Sequence, residues 1–165
     1  MRTLVRALVW LLVVLWLGGV MFFPVVAWAA FSSIPDTHAA GTIVAKCLRT
    51  LHYEGLFSGV LIVLLLLAGW RMAAFSRVAL GAIVLVFAML ALTGYSQFSI
   101  IPRMEGYRMA AGGAIDSVPK DNPNHVAFDQ LHQLSERVEE GVLLSGVLTV
   151  IFLALPGQAR RIQLT

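Results

Sequence analysis

Ionisable side chains gather in two stretches of an otherwise apolar chain. In the stretch 128–141, Asp129, His132, Glu136, Glu139 and Glu140 recur at helical spacing. At about 100° per residue they share one helix face, with Ser135 on its margin and Arg137 away from it. In the stretch 46–54, Lys46, Arg49, His52 and Tyr53 share a face, while Cys47 and Glu54 lie elsewhere. One stripe is acidic with a histidine and the other is basic with a histidine. Buried charges survive by pairing, so Lys46 and Arg49 are expected to answer the acids across a bundle. Such a face can hold a small polar solute or a metal ion. It can also do no more than zip helices together at their wet end.

Two cofactors are compatible with these residue types. His52 and His132 are candidate axial ligands for a b-type haem, because neutral imidazole is a common ligand of haem and metal. Cys47, with His38, His125, Met104 and Met109, supplies soft ligands that suit copper. The spacing of that set follows no pattern, and methionine in such a chain is ordinary packing material. There is no C-x-x-C-H and no H-E-x-x-H motif. Nor does any stretch offer a nucleophile–base pair or a phosphate loop, so the residues favour a non-enzymatic protein.

The surrounding composition dictates where these stripes sit. Of 165 residues, 59% are hydrophobic and only 13% are charged, against about 25% in soluble domains. Mean hydropathy is +0.84. These values specify an all-α integral membrane protein, a four-helix bundle in a single membrane domain covering 1–165. The lone Cys47 excludes an internal disulfide.

The expected helices run over about 4–31, 39–69, 76–101 and 125–155, with an extracytoplasmic loop at 102–124. The first run, Leu4 to Phe31, exceeds the h-region of a signal peptide, although Ala27-Trp28-Ala29 has the form of a cleavage site. Its length favours a retained helix. In the second, Gly55–Gly69 is apolar apart from Ser58 and covers about 22 Å of a roughly 30 Å hydrocarbon core. The span must therefore reach back towards Thr50, which puts His52 and Glu54 inside the outer edge of the bilayer. The third helix, from Val78, ends or kinks at Pro102. Arg103–Ala111 reads as one or two further turns stopped by Gly112-Gly113. A span of about 20 residues counted back from Leu155 reaches Glu136, so Glu136, Glu139 and Glu140 fall in the outer leaflet.

Arg2 and Arg6, Arg71 and Arg77, and Arg160 and Arg161 fall at alternate helix ends, hence on one side. The positive-inside rule makes that side cytoplasmic and places both termini there, in a multi-pass protein of the cell (inner) membrane. A pI near 9.5 is thereby a topology signal and not a sign of nucleic-acid binding. The partner is the lipid bilayer. Gly55-x-x-x-Gly59 and Gly141-x-x-x-Ser145 are small-residue faces that permit close helix contact, inside the bundle or with a second copy of the chain. Glu54–Leu61 and Glu140–Leu148 match with one insertion, as two repeated helical hairpins would.

Several motifs occur in a defined order: Gly18-Gly19 with Phe22-Phe23 and Pro24, Leu51-His52-Tyr53, Ile101-Pro102-Arg103, and Phe128-x-x-Leu131-His132-x-x-Ser135. Across nearly the whole chain this set resembles the uncharacterised bacterial membrane proteins of domain-of-unknown-function family 4149, grouped with eukaryotic transmembrane protein 205. The resemblance implies a four-helix membrane protein without assigned biochemistry. More distantly the chain is similar to copper-resistance D proteins and to membrane protoporphyrinogen oxidases, which share a histidine-bearing bundle and, in the latter, haem. Family members tend to carry Asn at the position of Glu139 and an apolar residue at that of Glu136. The stripe here is more acidic, and acids disfavour the apolar edge of a porphyrin.

Overall fold

The structure is a computed structural model that describes residues 1–72, 74, 75 and 79–155. Arg77, Arg160 and Arg161, and the Pro156-Gly157 expected to close the fourth helix, lie outside the described residues. The elements are α1 (Arg2–Ser33), α2 (Thr37–Arg71), α3 (Ala79–Tyr95), a π-helical turn (Ser96–Ile100), α4 (Ile101–Ala110), a short 3-10 turn (Ile115–Ser117) and α5 (Pro123–Ala154). The segments α3, π turn and α4 follow one another without a break. The architecture is therefore four helical rods, an all-α membrane bundle.

Three stretches are long and apolar enough to cross a membrane: Arg2–Ser33, Thr37–Arg71 and Leu80–Ser117. The fourth rod, α5, has 32 residues, but its N-terminal part, as far as Glu140, carries the acids. With 35 residues, α2 is about 52 Å long, well beyond a hydrocarbon core of about 30 Å. The excess at its Thr37 end accommodates the charged residues.

Local chemistry sets the ends of the rods. Asp36 caps α2, its Oδ1 accepting from the main-chain N–H of His38 (2.9 Å) and Ala39 (3.3 Å). Asn122 caps α5 by accepting from the N–H of Asn124 (2.9 Å), and Pro123 occupies the first turn, where a missing N–H costs nothing. Gly112 and Gly113 take φ of +87° and +97°, a left-handed conformation that stops α4. Pro102 does not end the third rod. Its ring would crowd a carbonyl one turn earlier in a regular α-helix. The π turn immediately before it adds a residue to the ladder, with Ile101 N–H bonding Ser96 O, and the rod runs on to Ala110.

Around the bundle the order is α1, α2, α3, α5, with α1 and α5 closing the ring. Helices α2 and α5 therefore stand on a diagonal. The core between the rods is Val9, Val13, Trp16 and Val20 from α1, Ile62, Val63 and Leu66 from α2, Ala82, Ile83, Val86 and Met89 from α3, and Val142 and Leu153 from α5. With lipid outside, this interior is held by close packing and not by exclusion from water. Gly55 and Gly59 lie against the Trp16 ring, and Gly59 also against Leu90. These close approaches are made within the chain. Arg6 lies over the Phe75 ring at 5.9 Å, which brings the start of α1 to the end of α2.

The opposite end is tied by polar contacts. Arg108 donates through Nε and Nη2 to both oxygens of Glu105 (2.9 and 2.6 Å) and through Nη1 to Gly113 O (2.7 Å). Thr37 Oγ1 donates to Asp116 Oδ2 (3.0 Å), joining α2 to the loop after α4. His125 Nδ1 meets Val118 O at 3.2 Å, joining that loop to α5.

Candidate functional site: a histidine–carboxylate centre between three helices

At the centre of the bundle, towards the end that carries these ties, His52 is 1% exposed. Its Nε2 lies 2.8 Å from Glu139 Oε1 on α5, and its Nδ1 lies 3.1 Å from Gln97 Oε1 in the π turn. Both ring nitrogens thus face oxygen, a pattern that an imidazolium satisfies by donating twice. Turning the Gln97 amide over gives the neutral alternative, in which Gln97 Nε2 donates to Nδ1 and Nε2–H still donates to Glu139. The Glu139 side chain is 19% exposed, so it connects the buried imidazole to the outer surface of the bundle. Its second oxygen has no hydrogen-bond partner among the described residues.

The π turn explains the third member. In a regular helix a residue four before Ile101 has its carbonyl bonded within the ladder. Here Ile101 N–H bonds Ser96 O, and Pro102 has no N–H to offer Gln97 O. On the buried side of the same rod, one turn away or less, lie Ser96 (0% exposed) and Thr93 (1%), whose hydroxyl oxygens are buried with no hydrogen-bond partner among the described residues. A second buried polar contact sits on α2. Ser58 Oγ donates to Glu54 Oε1 at 2.6 Å, and Glu54 Oε2 is buried without a partner.

The remaining expected site residues lie apart from this centre. Lys46, Arg49 and Tyr53 are exposed and, among the described residues, form no ion pair. Arg49 is within electrostatic reach of Glu105 on α4. Asp129, His132 and Glu136 are also exposed. His132 stacks on Phe128 and approaches Glu136 at 3.4 Å along its own helix, and Asp129 approaches His125 at 3.7 Å. Ser135 is buried. The expected meeting of two full stripes is thus corrected to one contact. Helices on a diagonal can touch only through side chains that reach the bundle axis, and of the two stripes only His52 and Glu139 do. Gln97, Thr93 and Ser96 lie outside the two ionisable stripes of the sequence, since they carry an amide and hydroxyls and no charge. Their spacing at i, i+3 and i+4 in an apolar helix was the available signal.

The donor set does not fit a haem or a copper ion. Both nitrogens of His52 are engaged within the protein, and His132, 57% exposed, lies on the outer face of α5. The cavity described beneath the centre, lined by Val13, Trp16, Ile62, Val86, Met89, Gly146 and Thr149, has a volume of about 10 Å³, the room of one water molecule. Cys47 is exposed, and the described residues contain no group of three His, Cys, Asp or Glu side chains able to hold a metal ion.

A family model for a domain of unknown function (DUF4149) matches residues 11–112. The chain belongs to that family. The match spans α1 to α4, so the DUF4149 region supplies His52, Thr93, Ser96 and Gln97, while Glu139 comes from the helix that follows it. Comparison with curated proteins and with solved structures returned no match.

Proposed function

We propose that this DUF4149 member is a non-enzymatic, multi-pass protein of the cell (inner) membrane that binds a small polar solute at the His52–Glu139 centre, from the extracytoplasmic side. The observation that carries this reading is an ionisable pair held between three helices of a membrane bundle. Ionisable groups inside a membrane are expensive and mark ligand or ion pathways by default. Four crossings with Arg2, Arg6 and Arg71 on the cytoplasmic side put both termini inside and the Glu139 end of the bundle outside. Glu139 then offers a free carboxylate oxygen to the outer aqueous phase, and His52 and Gln97 hold the carboxylate in place from behind.

The test uses a strain lacking the protein and a panel of solute and salt challenges that exposes a growth defect. Glu139→Gln and His52→Ala are expected to leave protein level normal and to fail to restore growth. Full restoration by both variants would reduce the centre to a structural clamp.

A further inference from the structure

The two charged stripes do not meet inside the bundle, but they match in height. Lys46, Arg49 and Tyr53 are exposed on α2, and Asp129, Glu136 and Glu140 are exposed on α5. Each set continues into exposed apolar side chains, Phe57 and Leu64 on α2, Leu144 and Ile151 on α5. At about 100° per residue, each line keeps to the face turned away from the buried residues of its own helix. Thr37, at the start of α2, bonds Asp116, and His125, at the start of α5, bonds Val118, so the two helices begin at one end of the bundle and run in the same direction. His52 meets Glu139 across 87 positions of sequence. By that offset Arg49 is level with Glu136, Tyr53 with Glu140, and Lys46 with Gln133, between Asp129 and Glu136. Helices on a diagonal turn their exposed faces in opposite directions. The bundle thus presents a cationic face on one side and an anionic face at the same height on the other.

Neighbours within the chain leave both faces charged. Glu105, the acid within reach of Arg49, is gripped by Arg108. Among the described residues, Asp129 and Glu136 approach histidines of their own helix (3.7 and 3.4 Å), while Lys46, Arg137 and Glu140 enter no ion pair. Charge turned towards lipid is costly. Copies of a membrane protein inserted in one orientation sit at one depth, so a face can pair with a neighbour's only at its own level, and these two faces meet that condition. We infer that the chain associates head to tail with further copies of itself in the membrane plane, the Lys46/Arg49/Tyr53 face of one protomer seating against the Asp129/Glu136/Glu140 face of the next. Arg49 donates to Glu136, the Tyr53 hydroxyl donates to Glu140, and Lys46 reaches the acids on either side of Gln133. Two different faces form this contact, and they point in opposite directions. It is therefore a heterologous contact that builds a row, not a two-fold dimer. Exposed charges of this kind select the partner and fix the register, and add little to the stability of the single chain. The inference is independent of the His52–Glu139 pocket.

The experiment cross-links the full-length protein in membrane vesicles. Cys47→Ser removes the native thiol, and Phe57→Cys with Leu144→Cys then puts one thiol on each face, level with each other and with every charge kept. Oxidation with copper phenanthroline is expected to give a ladder of dimers, trimers and higher species from this double variant, and no cross-link from Phe57→Cys or Leu144→Cys alone. Phe57→Cys with Phe87→Cys, the latter exposed on α3, measures the baseline of chance collisions. Adding Arg49→Glu sets like charges against each other at the contact and is expected to bring the ladder down to that baseline. Adding Glu136→Arg as well is expected to restore it, which a misfolded variant would not do. A ladder no stronger than the baseline would overturn the proposal. So would a ladder indifferent to Arg49→Glu, or one that Glu136→Arg fails to rescue. A dimer band from Phe57→Cys alone would also overturn it, because that marks a two-fold contact.

Discussion

Among the described residues, the contact between His52 and Glu139 is the one place where the diagonal helices α2 and α5 touch through ionisable groups, and a double-mutant cycle measures it. Glu139→Ala removes a hydrogen bond between ionisable partners, worth about 1.5–3 kcal/mol in folded proteins. The 19% exposure of the Glu139 side chain lets water replace part of it, so the lower end of that range applies, about 1.5 kcal/mol. His52→Ala removes the same bond, strands Gln97 and leaves space at a position only 1% exposed, for a cost of about 3 kcal/mol. If the contact accounts for the shared part, the double variant is less destabilised than the sum of the singles by about 1.5 kcal/mol. Unfolding in mixed micelles, followed by tryptophan fluorescence and by helical circular dichroism, supplies all four corners. Additivity within about 0.4 kcal/mol is what non-contacting sites give and would refute the pairing.

Three further outcomes follow from the same structure. Gly55→Ala drives a methyl group into the Trp16 indole, the largest fully buried side chain, and is expected to lower stability by about 1–3 kcal/mol in the same unfolding assay, whereas Gly18→Ala, with open space around it, does not. Lys46→Ala and Arg49→Ala, both exposed and outside the centre, stay within about 0.5 kcal/mol of wild type; a larger loss would restore the stripe-to-stripe pairing that the geometry argues against. Cys47, the only cysteine and exposed near the N-terminal end of α2, is expected from the proposed orientation to react with a membrane-impermeant maleimide in whole cells or right-side-out vesicles; labelling only after permeabilisation would reverse that orientation.

The all-α bundle was legible because membrane composition leaves little choice. With 13% charged residues, the long apolar runs have only helices to form. Gly112-Gly113 also announced the end of α4 through the conformation that only glycine adopts easily. The site was half legible. Helical periodicity places His52 and Glu139 on polar faces, but periodicity describes one helix at a time. Which faces meet depends on the order of rods around the bundle, and that order sets α2 opposite α5 across a diagonal. Reading facing stripes presumed that the two helices were neighbours. A proline deletes a ladder bond, so the sequence predicts an end or a kink at Pro102. The rod instead absorbs it by widening one turn, an outcome decided by the tertiary contacts of Ser96, Gln97 and Ile100, all buried.

That widened turn also acts as a phase shifter. A π turn inserts one residue into an α ladder, so everything beyond Ile100 is rotated by about 100° relative to an uninterrupted helix. The Arg108 fork that grips Glu105 and Gly113, and the loop that Thr37 holds through Asp116, inherit their bearing from that single extra residue. Deleting one residue between Ser96 and Ile100 would leave a longer unbroken α-helix and a better local ladder. It would also swing the whole segment from Ile101 to Ser117 out of register with α2 and α5, so in this chain the local ideal and the assembled whole are set against each other at one turn.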